Sequence, residues 1–163
     1  MSSQRHYYEL QICPIDNDAR EFYSDILDRT DENAGFDVYS VKNITVGEAC
    51  EFIPFGAKFR MLKYQVDSIG CAEYEDCHFW LFPRSSIYKT HLIMANSTGV
   101  IDSSYRGELK APVWSMSGYS KVSKGDRLFQ IVAPDMGHIR RVRIVSELPD
   151  TDRGEGGFGS TGR

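Results

Sequence analysis

A succession of short β-prone runs, each broken by turn residues, is the feature of this chain that most restricts its fold. The runs Tyr7–Ile12, Phe36–Val41, Phe79–Phe82, His91–Ala95, Glu108–Trp114, Arg127–Val132 and Ile139–Val145 are rich in β-branched or aromatic side chains. Gly, Asp, Asn, Ser or Pro punctuates them. Runs this short at this spacing predict an all-β sandwich, jelly roll or barrel. Lys124-Gly125-Asp126 predicts a tight turn into a strand. Pro112 lacks an N–H for the ladder, so it predicts an edge position or a bulge in its run. One helix is predicted, capped by Asp16 or Asn17 and reaching about Leu27, with Phe22, Tyr23, Ile26 and Leu27 on one face. Lys63 to Cys77 has weak periodicity and several charges, and reads as an extended hairpin or a surface loop.

A chain of 163 residues is most simply one domain, long enough for a single core. Its apolar runs are too short to span a bilayer. MSSQRHYYEL at the N-terminus lacks the apolar centre of a secretory signal. The expectation is an intracellular protein, cytoplasmic or nuclear, with no membrane partner. The four cysteines (Cys13, Cys50, Cys71, Cys77) show no CxxC pair and no histidine at metal-ligand spacing, as reduced thiols would; a Cys71–Cys77 bridge stays open for an oxidising compartment. The net charge of −4 counts against direct nucleic-acid binding. The one basic cluster, His138 to Arg143, reads as a solvated strand face.

The C-terminal segment RGEGGFGSTG, residues 153–162, holds five glycines in ten positions and cannot sustain a helix or strand by itself. It nevertheless carries a guanidinium, two hydroxyls and a ring. Such a set suits closure over a phosphorylated nucleoside, with Arg153 and the hydroxyls on phosphate and Phe158 on the base. Four further blocks precede it: Ala34-Gly35-Phe36-Asp37-Val38 enters a strand through a glycine, Pro83-Arg84-Ser85-Ser86 follows an apolar strand, GVIDSSYRGE (99–108) is a turn between strand-like segments, and Gly125 to Gln130 is a turn into a strand. Singly, Asp37, Arg84, Asp102, Tyr105 and Gln130 are ordinary turn, cap or strand residues; their co-occurrence in this order is the signal.

With AGFDV, PRSS, GVIDSSYRGE, GDRLFQIV and RGEGGFGSTG in that order, the chain resembles the trimeric dUTP diphosphatase (dUTPase) family over roughly residues 31–162. The resemblance implies a dUTPase-like jelly roll over residues 1–150, a mobile glycine-rich arm over 151–163, and a homotrimer with active sites shared between chains. It also implies hydrolysis of dUTP to dUMP and pyrophosphate with Mg²⁺, which limits uracil in DNA and supplies dUMP for thymidylate synthesis. Asp102 would then activate the water that attacks the α-phosphorus, and Tyr105 would pack under the deoxyribose. The backbone of a hairpin from Asn96 through Gly99, Val100 and Ile101 to Tyr105 would read the uracil edge. Arg84, Ser85, Ser86 and Gln130 would hold phosphate, with Asp37 supporting the metal's water shell. Phe158 would stack on uracil while Arg153, Gly159, Ser160 and Thr161 close over the phosphates.

No direct protein ligand for Mg²⁺ is expected, because this ion is commonly carried on substrate phosphates and water. Ser86 departs from the family's usual PRSG and adds a Cβ where glycine permits close packing. The RSS triplet also occurs in the fold-related dCTP deaminases, so a deaminase, alone or bifunctional, is one alternative. A regulatory binding protein using the same fold is another. The stretch near residues 63–77 and that between Ile12 and Ala34 are longer than the family usually shows.

Overall fold

The structure, a computed structural model, describes residues 5–159; the phosphate-closing roles expected of Ser160 and Thr161 lie outside the described residues. In chain order it comprises β1 (Arg5–Pro14), α1 (Asn17–Arg20), β2 (Phe36–Val38), β3 (Ile44–Val46), β4 (Glu51–Pro54), β5 (Ala57–Val66), β6 (Ala72–Cys77) and β7 (Phe79–Pro83). After β7 come a 3₁₀ turn (Ser85–Thr90), β8 (Leu92–Met94), β9 (Gly99–Ile101), β10 (Lys110–Ser115), β11 (Ser120–Val122), β12 (Phe129–Val132) and β13 (Ile139–Ile144). The all-β expectation is correct.

Four small sheets enclose one core. Their strand orders are β13-β1-β5-β6, β4-β10-β8, β11-β3 and β2-β12-β7-β9. β1 lies between β5, antiparallel, and β13, parallel, so the first and last strands meet in one sheet. Period-two alternation drives this: Tyr8, Leu10 and Ile12 point inward from β1 and meet Phe59 and Met61 of β5 and Ile139 and Val142 of β13. Phe129 and Ile131 of β12 enter the same core fully buried. Each such side chain contributes about 1.5–3 kcal/mol by leaving water.

Lys63 to Cys77 is a hairpin: β5 and β6 pair from Met61↔Cys77 to Val66↔Ala72. The four cysteines are free, and burial pushes the Cys77 thiol up to about 12, which leaves it protonated and inert. In the basic cluster, Ile139 and Val142 face inward while Arg140 and Arg143 are exposed, as a solvated strand face requires. No helix among the described residues is long and apolar enough to cross a membrane.

Three local expectations fail for identifiable reasons. The helix stops at Arg20 although Asp16 caps it, its carboxylate accepting from the Ala19 N–H at 2.8 Å. Beyond it, Tyr23 turns into the core and donates its hydroxyl to the Phe55 carbonyl. Ile26 then exchanges both backbone hydrogen bonds with Val142 of β13 (2.9 and 2.8 Å). Those tertiary bonds outweigh local helix propensity. Pro112 is not on an edge, for β10 is central between β4 and β8. Its carbonyl accepts from Ala95 N–H, and its missing donor faces the same side, where β8 has already ended. Finally, the segment through Asn96 is not a paired hairpin. β8 pairs with β10 and β9 pairs with β7, so the turn, with Ser97 at φ 62°, carries the chain from one sheet to another.

Candidate active site

The sheet β2-β12-β7-β9 carries four of the five sequence blocks side by side. Its register decides which of them meet. Asp37 lies opposite Gln130, and Gln130 opposite Phe82, so Asp37, Gln130 and the Pro83-Arg84-Ser85 block cluster at one end of β7. β9 runs the other way, with Ile101 opposite Phe79. Asp102 therefore sits level with His78, at the start of β7. From His78 to Arg84 is six residues of extended chain, about 20 Å at ~3.3 Å per residue.

Two cavities with no lining residue in common reflect that separation. The larger, about 470 Å³, is lined by Asp37, Arg84, Ser85 and Gln130 together with Arg29, Asp31, Phe22 and Tyr23. Its charges are cross-linked. Asp37 pairs with Arg84 at 2.9 Å and with Arg127 at 3.4 Å, and Arg84 donates to the Arg127 carbonyl at 2.8 Å. Gln130 donates to the Pro83 carbonyl at 3.4 Å. The turn at Gly35 lies directly on that amide: a Cβ there would fall 1.9 Å from Gln130 Oε1. Arg29, only 8% exposed, braces the same turn. It holds Asp31 through two nitrogens (3.1 and 2.7 Å) and donates to the carbonyls of Gly35 (3.1 Å) and Ile139 (3.2 Å). The hydrogen bonds from Arg29 keep the Asp31 carboxyl below its usual range.

The smaller cavity, about 120 Å³, gathers Asn96, Gly99, Val100, Ile101, Asp102, Tyr105, Arg153 and Phe158, with Leu81, Met94, Leu109 and Lys110 behind them. The C-terminal segment is docked here on its own chain. Arg153 donates to the Asp102 carboxylate and to the Gly156 carbonyl, and its guanidinium lies 5.6 Å from the Tyr105 ring centre. The Gly154 carbonyl accepts from Arg106 N–H at 2.8 Å, Thr151 donates to the Ser104 carbonyl, and Glu155 pairs with Lys58. Tyr105 is pinned through its hydroxyl to the Glu108 carbonyl at 2.9 Å. Glycine is required on both sides of its ring, because a Cβ at Gly107 would come within 2.4 Å of its oxygen and one at Gly157 within 2.9 Å of its edge. Burial holds this hydroxyl above its ordinary range. The Phe158 ring meets Phe52 edge-on at 4.8 Å and is 57% exposed, leaving a face for another ring.

The structure thus places every described candidate but splits them into two groups. Ser86 and Gly159 line neither cavity. Asp102 is half open, its side chain 46% exposed. Sequence reading missed Arg29 with Asp31, and also His78, which stands beside Asp102. A basic residue and an acid two positions apart just before AGFDV were a usable signal for the first pair. Nothing in the run Asp76-Cys77-His78-Phe79 pointed to the second. Among the described residues no group of three or more His, Cys, Asp or Glu side chains is arranged to hold a metal ion.

Sheet order, the two cavities and the five blocks define an all-β fold whose candidate site residues fall into two groups. The dUTPase family model matches residues 23–162, and the chain belongs to that family. It is 34% identical over 140 residues to a deoxyuridine 5'-triphosphate nucleotidohydrolase of Nautilia profundicola, covering 83% of this chain and 88% of that one. Identity reaches 46% over 81 residues with the enzyme of the same name from Escherichia phage T5, covering 49% of this chain and 55% of that one. The chain spans little more than half the length of several such curated relatives. In fold it is similar to a Staphylococcus bacteriophage 80alpha dUTPase with dUPNHPP (TM-score 0.53, 20% identity, 94% of this chain and 98% of that one). It is likewise similar to a mutant dUTPase from phage phi11 of S. aureus described with a structural Mg(II) ion (TM-score 0.54, 19% identity, 88% and 96%).

Proposed function

We propose that this chain is an intracellular dUTP diphosphatase that works as a homotrimer with shared sites. The observation that carries this reading is the convergence of Asp102, Tyr105, Arg153 and Phe158 on one cavity, about 20 Å along β7 from Arg84. A 120 Å³ cavity is smaller than the roughly 300–1,000 Å³ of typical ligand sites. It has room for a base and part of a sugar, not for a triphosphate. In this reading the phosphate-holding set of Arg84, Ser85 and Gln130 comes from another copy, a view supported by its distance from Asp102 along β7.

In this reading the base enters between Phe158 and the Asn96–Ile101 turn, whose backbone groups pair with its edge. The sugar rests on Tyr105, held too firmly to make room for a 2′-hydroxyl. Asp102 accepts a proton from water as that oxygen bonds to the α-phosphorus, and the bond to the bridging oxygen breaks to release pyrophosphate. Arg153 sits on Asp102 in the closed arm. When the nucleotide enters, its guanidinium transfers to phosphate oxygens, which frees the carboxylate to act as base. The arm, residues 151–163, then excludes water. The half-exposed Asp102 carboxylate, without a preformed cage, would suit a hard cation carried on the substrate's own oxygens, and Asp37, held by Arg84 and Arg127, would reach it through water. Bound Mg²⁺ supplies neutralisation of triphosphate charge.

The test is pyrophosphate release from dUTP and Mg²⁺ by the purified chain, with dCTP as control. Release from dUTP alone is expected. Ammonia from dCTP would favour the deaminase, and nucleotide binding without turnover would favour a regulatory binding protein.

A further inference from the structure

His78 stands at the joint between β6 and β7, level with Asp102 and 66% exposed. Its Nδ1 accepts the Ser103 backbone N–H at 3.0 Å, so this nitrogen is unprotonated and the ring proton rides on Nε2. The same Nδ1 lies 3.8 Å from Asp102 Oδ1. The other Asp102 oxygen faces Arg153. On its far side the Ser103 peptide is anchored by Arg106, whose Nη1 donates to the Ser103 carbonyl at 2.8 Å. Arg106 is buried, donates to the Pro149 carbonyl at 2.7 Å and meets Asp76 of β6 at 3.5 Å. The loop that aims Asp102 is held by the side chains of Arg106, Thr151 and His78, and of these only the imidazole holds it through a nitrogen that can itself take up a proton.

Resting on the hydrolase reading above, we infer that His78 is a positioning residue for Asp102 and a charge switch on it. While neutral, the imidazole holds Ser103 N–H and fixes the carboxylate's direction. Once Nδ1 carries a proton it can no longer accept from Ser103, and its nearest anion is Asp102. The imidazolium then turns to the carboxylate, releases the loop and withdraws the acceptor that the attacking water needs. The charged groups facing the imidazole are Asp102 and, behind it, Arg153; Arg106 and Asp76 lie on the opposite side of the Ser103 peptide. Arginine keeps its charge throughout, and Asp76 is held between Arg60 and Arg106.

The decisive variants are His78→Asn and His78→Ala in the full chain, with kcat and KM followed from pH 5.5 to 8.5. Asn presents an oxygen where Nδ1 stood but takes no proton. His78→Asn is expected to lose about two- to threefold in kcat at pH 8 and to fall about fivefold less than wild type between pH 7.5 and 5.5. His78→Ala leaves Ser103 N–H without its partner and is expected to lower kcat about tenfold at every pH with KM little changed. Superimposable pH profiles for wild type and His78→Asn overturn the proposal. A second readout needs no turnover: nitrogen and carboxyl chemical shifts of the ligand-free protein. A neutral His78 in the Nε2–H form, with the Asp102 carboxyl signal moving as His78 protonates, supports the inference. An Nδ1–H form, or an Asp102 signal indifferent to His78, sinks it. A chain that shows this coupling yet releases no pyrophosphate refutes the hydrolase reading and leaves the His78–Asp102 switch standing.

Discussion

The two ends of one sheet are built on opposite principles. At the Arg84 end, Asp37, Arg84, Arg127, Arg29 and Asp31 form a braced set in which each charge is answered by another of the set. At the Asp102 end the partners come from a segment that, among the described residues, has no strand or helix after Ile144 and no place in the buried core. In the proposed reaction the charges that grip phosphate are the ones held rigid, and the charges that exchange partners sit on the C-terminal segment. The register of β7 keeps the two ends apart in one chain, which is why the proposal draws on a second copy.

The largest expected effect falls on the exchanging end. Asp102→Asn should lower kcat by roughly 10³-fold or more while nucleotide binding persists, because an interaction confined to the transition state is lost; single-turnover assays alongside dUTP-analogue titration separate the two quantities. Deleting the chain from Arg153 onward should cost roughly 10²-fold in turnover and leave the folded body unchanged by circular dichroism, since a lid is lost and no core with it. Unfolding of that truncation would erase the contrast between a braced end and a removable one. The separation itself is tested by mixing. Arg84→Ala and Asp102→Asn chains, each nearly inactive alone, should recover activity when refolded together, because a mixed assembly pairs an intact Arg84 end with an intact Asp102 end. Failure of complementation would place the whole site within one chain.

Smaller effects sharpen the comparison. Gly35→Ala drives a methyl into Gln130 and should destabilise the fold by about 1–3 kcal/mol, as overpacking does. It should also raise KM severalfold with kcat nearly kept; thermal unfolding and steady-state kinetics read the two parts. The smallest effect concerns Glu155, whose carboxyl the Lys58 ammonium holds below its ordinary range. A depressed pKa means that this contact is complete above the unfolded carboxylate range and fades only as pH falls through the lowered value. Arm amides should therefore exchange at constant protection, corrected for intrinsic rate, from pH 8 down to about 5 and lose protection below about 4. Glu155 is fully exposed, so Glu155→Gln should leave Tm unmoved.

Much of this was legible in the residues. Short runs rich in β-branched and aromatic residues, punctuated by turn residues, marked the seven predicted strands, because such side chains suit a pleated, half-buried surface. The five blocks named most of the candidate residues through their resemblance, in order, to the motifs of the dUTPase family. What stayed hidden had non-local causes. The helix after Asp16 ends early because Tyr23 and Ile26 are claimed by Phe55 and Val142, residues far away in the chain. Pro112 sits in a central strand because its missing donor meets the place where β8 stops. His78 gained a role only when antiparallel pairing of β7 and β9 set it level with Asp102. By itself the sequence determined which chemical groups the protein owns and the period that makes its strands. The tertiary structure alone decided which of those groups face one another, because strand register, a property of pairing between distant segments, turns a shared sheet into two sites about 20 Å apart.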